Sequence, residues 1–386
     1  MQTVGGNRQC GIYVHVPYCR SKCLYCAFYS IAAMKADWHR FVSAILSELR
    51  QRIAEISGFS SYTLYFGGGT PSLIPPEEFR RLSSGIKEVL ADASPLSTII
   101  ETTIEANPDD ISTVLADCWK DCGVDRISMG VQSLNDAELK AIGRRHDSSR
   151  AIEAFNILRE RFDNISLDLM FGLPKQTIET LTESIDGIVG LSPKHISAYS
   201  LTFEERSALT RLRDSGRIAE TAEDLSVGMF RLIDSRLADA GYERYEISNY
   251  SKPGRRSQHN SAYWHGLPYI GLGPSAHSYD GERTRSWNIS DIESYLYAIE
   301  SGKINRETET LTDEELREES IMTSLRTAEG IDLEAFATRF GIGEKQALLR
   351  SAAPHLRLGT IASDSHHLRL TPSGVMISDE IIADLF

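Results

Sequence analysis

With 386 residues, 41% of them hydrophobic and 25% charged, the chain has the make-up of a globular protein with one large domain and a smaller one. A net charge of -13 argues against a general nucleic-acid binder, which needs a basic footprint to displace counterions from phosphates. No apolar run nears the roughly 20 residues that span a bilayer, and Met1 to Gly6 carries neither the basic nor the apolar part of an export signal.

From about residue 11 to 200, short β-branched or aromatic runs alternate with stretches of helical period. The expected strands are Gly11 to Val16, Thr63 to Phe66, Thr102 to Glu105, Arg126 to Val131, Ser166 to Met170 and His195 to Leu201. Helices are expected between them at Trp38 to Ile56, Pro76 to Leu90, Ser112 to Asp121, Asp147 to Phe162 and Thr177 to Val189. Six such βα units predict an α/β barrel that is partial or incompletely closed, with its chemistry at the C-terminal ends of the strands. Beyond residue 203 come charged helices, a hairpin-like stretch over Tyr242 to Tyr250 and a polar region from Ser251. From about 310 the order is helix, helix, helix, a hairpin around Asp364 and a last helix, which is the order of a winged-helix domain. Its acidic residues outnumber its basic ones by about two to one, so a structural or docking role is favoured over DNA reading.

Cys19, Cys23 and Cys26 stand in the order C-x-x-x-C-x-x-C directly after the first expected strand. Three thiolates hold a four-iron cluster one ligand short and leave one iron open to a non-protein ligand. A structural zinc site, and with it a zinc-stabilised interaction module, is the alternative, but no paired second knuckle follows. Cys10, Cys118 and Cys122 suit buried free thiols better than a disulfide framework, and a reducing compartment, the cytoplasm, is expected.

Gly67-Gly68-Gly69-Thr70-Pro71 follows a strand and offers backbone groups to a close ligand, without the Gly-Lys-Ser/Thr ending of a nucleotide phosphate loop. Glu105, Gln132, Arg144 and Asp168 fall at or after successive strand ends, where they suit ribose hydroxyls and an amino-acid carboxylate. Taken singly, each is an ordinary surface polar residue or helix cap.

Together these residues resemble the radical SAM superfamily, in its coproporphyrinogen oxidase-like branch, over most of the chain. The resemblance implies a partial (β/α)6 TIM-type radical SAM barrel with a small C-terminal winged-helix-like domain. It also implies a [4Fe-4S] cluster on Cys19, Cys23 and Cys26, with S-adenosyl-L-methionine bound through its amino and carboxylate groups to the open iron. On the same resemblance Tyr13 and Tyr25 lie near the cluster and SAM, Gly68, Gly69 and Thr70 contact the methionyl part, and Glu105, Gln132, Arg144 and Asp168 complete the cofactor site. The expected division is 1–230 for the barrel, 231–309 for a connecting region and 310–386 for the C-terminal domain.

Two functions compete within that branch. Oxygen-independent coproporphyrinogen III oxidases carry a further Cys two positions after the third, where this chain has Phe28, and a longer extension ahead of the motif. A heme-chaperone subfamily is similar to this chain on both counts. His259-Asn260-Ser261-Ala262-Tyr263-Trp264 also has the H-N-x-x-Y-W form associated with heme binding there. This implies heme at His259 and transfer to an acceptor protein that the sequence does not name, with peripheral contact to a membrane surface left open. His277 is a second candidate, for which a structural role is favoured.

Overall fold

The computed structural model describes residues 8–205 and 207–386, with the side chain of Lys35 left aside. The stretch Met1 to Gly6 lies outside the described residues.

Strict alternation along each strand builds the barrel. In β1 (Gln9–Val16) the side chains of Ile12, Val14 and Val16 are fully buried in the apolar core, and those of Tyr13 and His15 face the other way. The second strand, β2 (Ser61–Gly68), repeats this with Tyr62, Leu64 and Phe66 in the core and Thr63, Tyr65 and Gly67 on the opposite face. β3 (Thr98–Ala106), β4 (Arg126–Gln132), β5 (Asn164–Phe171) and β6 (His195–Ser200) follow in spatial order. All six pair in parallel, as expected. Helices Trp38–Gln51, Pro76–Ala93, Thr113–Asp121, Ser148–Arg159 and Ile178–Leu191 connect them and cover the apolar face. The inner face is polar, unlike the branched-aliphatic filling usual in such barrels.

The one long helix expected over 38–56 is two, because Arg52 leaves helical geometry at φ -105 and ψ 15. Its guanidinium bonds Glu48 at 3.0 Å and the Gly271 carbonyl at 2.8 Å. Glu48, fully buried, also accepts from the Gly273 N–H, the Asn288 amide and the Tyr295 hydroxyl. This network ties the first helix to residues far along the chain.

Those residues extend the sheet at both edges. β7 (Glu243–Arg244) and β8 (Asn249–Ser251) form a hairpin beside β6. At the other edge β9 (Tyr269–Leu272) pairs in parallel with β1, and β10 (His277–Tyr279), β11 (Thr284–Asn288) and β12 (Arg306–Thr310) continue antiparallel. The result is one 12-stranded open sheet. Helix Glu223–Asp239 crosses the expected boundary at 230, and residues 231–309 supply five of the sheet's strands and most of a sixth, Arg306–Thr310.

A second apolar core, formed by Ile321, Leu325, Phe336, Leu348, Ile381 and their neighbours, defines the C-terminal unit. Its helices pack around a three-stranded sheet built from 331–332, 361–363 and 367–370. Among the described residues no helix is long and apolar enough to cross a membrane.

Candidate functional site

The mouth of the barrel gathers the cysteine loop and the strand ends. Cys19, Cys23 and Cys26 are free and half-buried. The loop is pinned by backbone bonds from Leu24 N–H to the Ile142 carbonyl at 3.1 Å and from Leu209 N–H to the Leu24 carbonyl at 2.8 Å. Two sulfurs accept hydrogen bonds: Thr70 Oγ1 donates to Cys19 Sγ at 3.3 Å and Arg144 Nη1 to Cys23 Sγ at 3.4 Å. The thiolate is the form that ligates metal. Burial pushes the Cys26 thiol up. Among the described residues no three His, Cys, Asp or Glu side chains close on a single metal ion.

The glycine run is fitted to this loop. Gly68 has φ +108, a conformation that disfavours any Cβ, and a Cβ there would meet His15 Nδ1 at 2.6 Å. A Cβ on Gly69 would meet the Val16 and Tyr18 carbonyls at 2.8 Å. The Gly69 N–H bonds the Val16 carbonyl at 2.7 Å, so the run holds β2 against the start of the cysteine loop.

Glu105, at the end of β3, accepts from the Tyr65 hydroxyl at 2.9 Å and from the Gly68 N–H at 3.1 Å. Burial raises its pKa to about 7 despite these bonds. Asp168 on β5 accepts from Ser128 Oγ at 3.3 Å, and burial raises its pKa to about 6. Gln132 is buried with φ 70, a left-handed conformation rare outside glycine, where the register between β4 and β5 slips. Arg144 donates through Nη2 to the Gly130 carbonyl at 2.6 Å, and its Nε has no partner. Burial raises the pKa of Tyr25, which packs against the apolar cluster of Ile142, Met170, Leu173, Leu201 and Leu209. The Tyr13 hydroxyl meets His15 Nδ1 at 3.3 Å, and its ring lies 6.0 Å from that of Tyr65. Every expected cofactor residue other than His259 therefore lies at this mouth.

His259 lies at the opposite end, on the barrel floor. Its motif, which follows the expected polar region from Ser251, lies on the helix Gln258–Trp264. Glu101 holds that helix at its N-terminus, accepting from the Gln258 N–H at 2.9 Å and the His259 N–H at 3.0 Å. The His259 ring is 1% exposed. Its Nδ1 pairs with Thr63 Oγ1 at 2.8 Å and its Nε2 with the Tyr263 hydroxyl at 2.9 Å. Burial lowers its pKa to about 3, so the ring is neutral. Stacked on Tyr65 with centroids 4.9 Å apart, it is joined through that residue to Glu105. Trp264 faces Arg326 of the C-terminal unit at 5.1 Å, which closes the floor from below.

Residues missed in the sequence reading fill the space between. His15 bonds the Tyr29 carbonyl at 3.0 Å and abuts Gly68. It stands in the first expected strand, Gly11 to Val16, at the alternation that turns it inward. Arg126 is 1% exposed, with Nε and Nη1 unpaired, and its charge favours ionised Glu105 and Asp168. An arginine opening an otherwise apolar strand was its signal.

Fold and mouth together define a radical SAM protein. Residues 13–188 match the Radical SAM superfamily model, and residues 311–377 match the HemN C-terminal domain. The chain is 35% identical to the heme chaperone HemW of Bacillus subtilis over 96% of this chain and 97% of that one. It is 31% identical to the heme chaperone HemW of Mycobacterium tuberculosis over 97% and 94%. Among solved structures, coproporphyrinogen III oxidase (HemN) from Escherichia coli matches with TM-score 0.82 at 21% identity, over 98% of this chain and 90% of that one. The chain belongs to the HemW family.

Proposed function

We propose that this protein is a heme chaperone, which binds heme and hands it to an acceptor protein, and that it carries a SAM-ligated [4Fe-4S] cluster. The observation that carries the cluster is the set of three half-buried thiols with Thr70 and Arg144 donating to two of them. That donor set suits three irons of a cubane, whose sulfur ligands are tuned by such hydrogen bonds. Cys19, Cys23 and Cys26 would hold the cluster, and it would supply electrons and one open coordination site.

The same reading gives SAM to the surrounding residues. Gly68, Gly69 and Thr70 line the methionyl side, and Arg144 answers the carboxylate. Glu105, Asp168 and Gln132 face the remaining polar groups, with Tyr13 and Tyr25 flanking the cluster. Residues 1–230 form the cofactor barrel in this scheme, 231–309 the region bearing the H-N-x-x-Y-W motif and 310–386 a docking domain. His259 enters as the heme residue of an opened floor, since Nε2 must first release Tyr263. Six free cysteines suit a reducing compartment, the cytoplasm. The acceptor is a protein, reached with or without peripheral contact to a membrane.

The test is a hemin titration of anaerobically reconstituted protein, followed by incubation with SAM, dithionite and coproporphyrinogen III. Stoichiometric hemin binding with no decarboxylated product is expected. Failure to bind hemin, or formation of the decarboxylated porphyrinogen, would overturn the reading.

A further inference from the structure

His259 is closed on all sides, but a different imidazole stands open at the other end of the barrel. The His277 side chain on β10 is exposed. Its ring stacks on that of Trp287, with centroids 5.7 Å apart and planes 26° apart, and it makes no hydrogen bond among the described residues. Trp287 is fixed in turn: Nε1 donates to Glu307 at 3.1 Å. The three residues are register partners across β10, β11 and β12, so they share one face of the sheet.

That face adjoins the mouth. The His277 carbonyl abuts Gly271, the register partner of Tyr13 on β1, and His15, two residues further along β1, touches both Gly68 and the cysteine loop at Tyr29. Both His15 nitrogens are engaged, at 3.3 Å by Tyr13 and at 3.0 Å by Tyr29. His277 therefore presents a free imidazole beside the proposed cluster site.

We infer that His277 is an axial ligand of heme iron at the mouth of the barrel while the floor is closed, an inference that rests on the heme-chaperone reading. An imidazole nitrogen donates its lone pair to iron, and the porphyrin plane then stands across the imidazole plane. Trp287, lying alongside, fixes that plane and offers an apolar edge to the macrocycle. On the same face of β11, Arg285 is paired with Glu319 through Nη2 at 2.8 Å.

The experiment titrates the full reconstituted chain and its H277A, H277C and H259A variants with hemin, and separately with metal-free protoporphyrin IX. H277A is expected to weaken hemin binding by about tenfold or more and to shift the Soret band, with protoporphyrin binding unchanged. H277C is expected to give the Soret band of thiolate-ligated heme. Circular dichroism and the melting temperature confirm that the variants are folded. Unchanged hemin affinity and Soret band in H277A would overturn the assignment. So would equal loss of hemin and protoporphyrin, or loss in H259A alone. Wild-type protein that takes up no hemin would instead bring down the chaperone reading itself.

Discussion

At the mouth of the barrel, Glu105 and Asp168 keep raised pKa values, Gln132 is held at positive φ and Arg144 has an unpaired Nε. At the floor, Glu101, Thr63, His259 and Tyr263 satisfy one another within 3.0 Å. The two regions share β3, which carries Glu101 towards one end and Glu105 towards the other. Their difference is one of degree: the four floor groups satisfy one another, although Trp264 Nε1 and Arg126 near them lack partners, whereas at the mouth strain and missing partners fall on the expected cofactor residues themselves.

The sharpest way to break this comparison is at the cysteines. Cys19→Ala is expected to reduce iron and acid-labile sulfide after anaerobic reconstitution to near background, while Cys118→Ala, in the core, retains them. Full iron and sulfide in the first variant would leave the mouth without cluster chemistry. A thermodynamic change is expected at the floor. Glu101→Ala strips the acceptor from the buried His259 N–H and the part-buried Gln258 N–H of the motif helix, at a cost of about 2–4 kcal/mol in chemical denaturation. No change in the unfolding midpoint would mean that the floor is not the closed element described.

The smallest expected effect is a pH slope at the mouth. Glu105 has its folded pKa raised from 4.5 to about 7. The folded protein therefore binds the proton more tightly than the unfolded chain does. The associated stability is fully present below about pH 4.5 and is lost as pH rises through about 7. Without SAM, Glu105→Gln is expected to flatten the fall in stability between those limits by on the order of 1–3 kcal/mol. Melting curves at pH 5 and pH 8 that run parallel for the variant and the parent would remove Glu105 as the titrating group.

Much of the barrel was legible because its strands alternate. Ile12, Val14 and Val16 against Tyr13 and His15 give both the strand and its two faces, and a two-residue period survives whatever packs above it. The sheet's outer edge was not legible. Tyr269–Leu272 is too short to show a period, and its parallel pairing with β1 depends on the buried Glu48 network that ties it to a helix more than two hundred residues earlier. The Gly67 to Thr70 run was read as a ligand cradle, but Gly68 and Gly69 are also required by contacts to His15 and the Val16 carbonyl. The motif around His259 was visible as a motif, and its burial was not.

The sequence by itself determined the six βα units, the cysteine spacing and the polar residues at strand ends, because each is a local pattern. Only the tertiary structure decided which histidine is closed and which is open. His259 and His277 differ little in their local sequence polarity. One is capped by Glu101 and stacked on Tyr65 beneath the barrel, the other stands on an added strand at its rim. That contrast comes from contacts between residues far apart in the chain, which no local pattern contains.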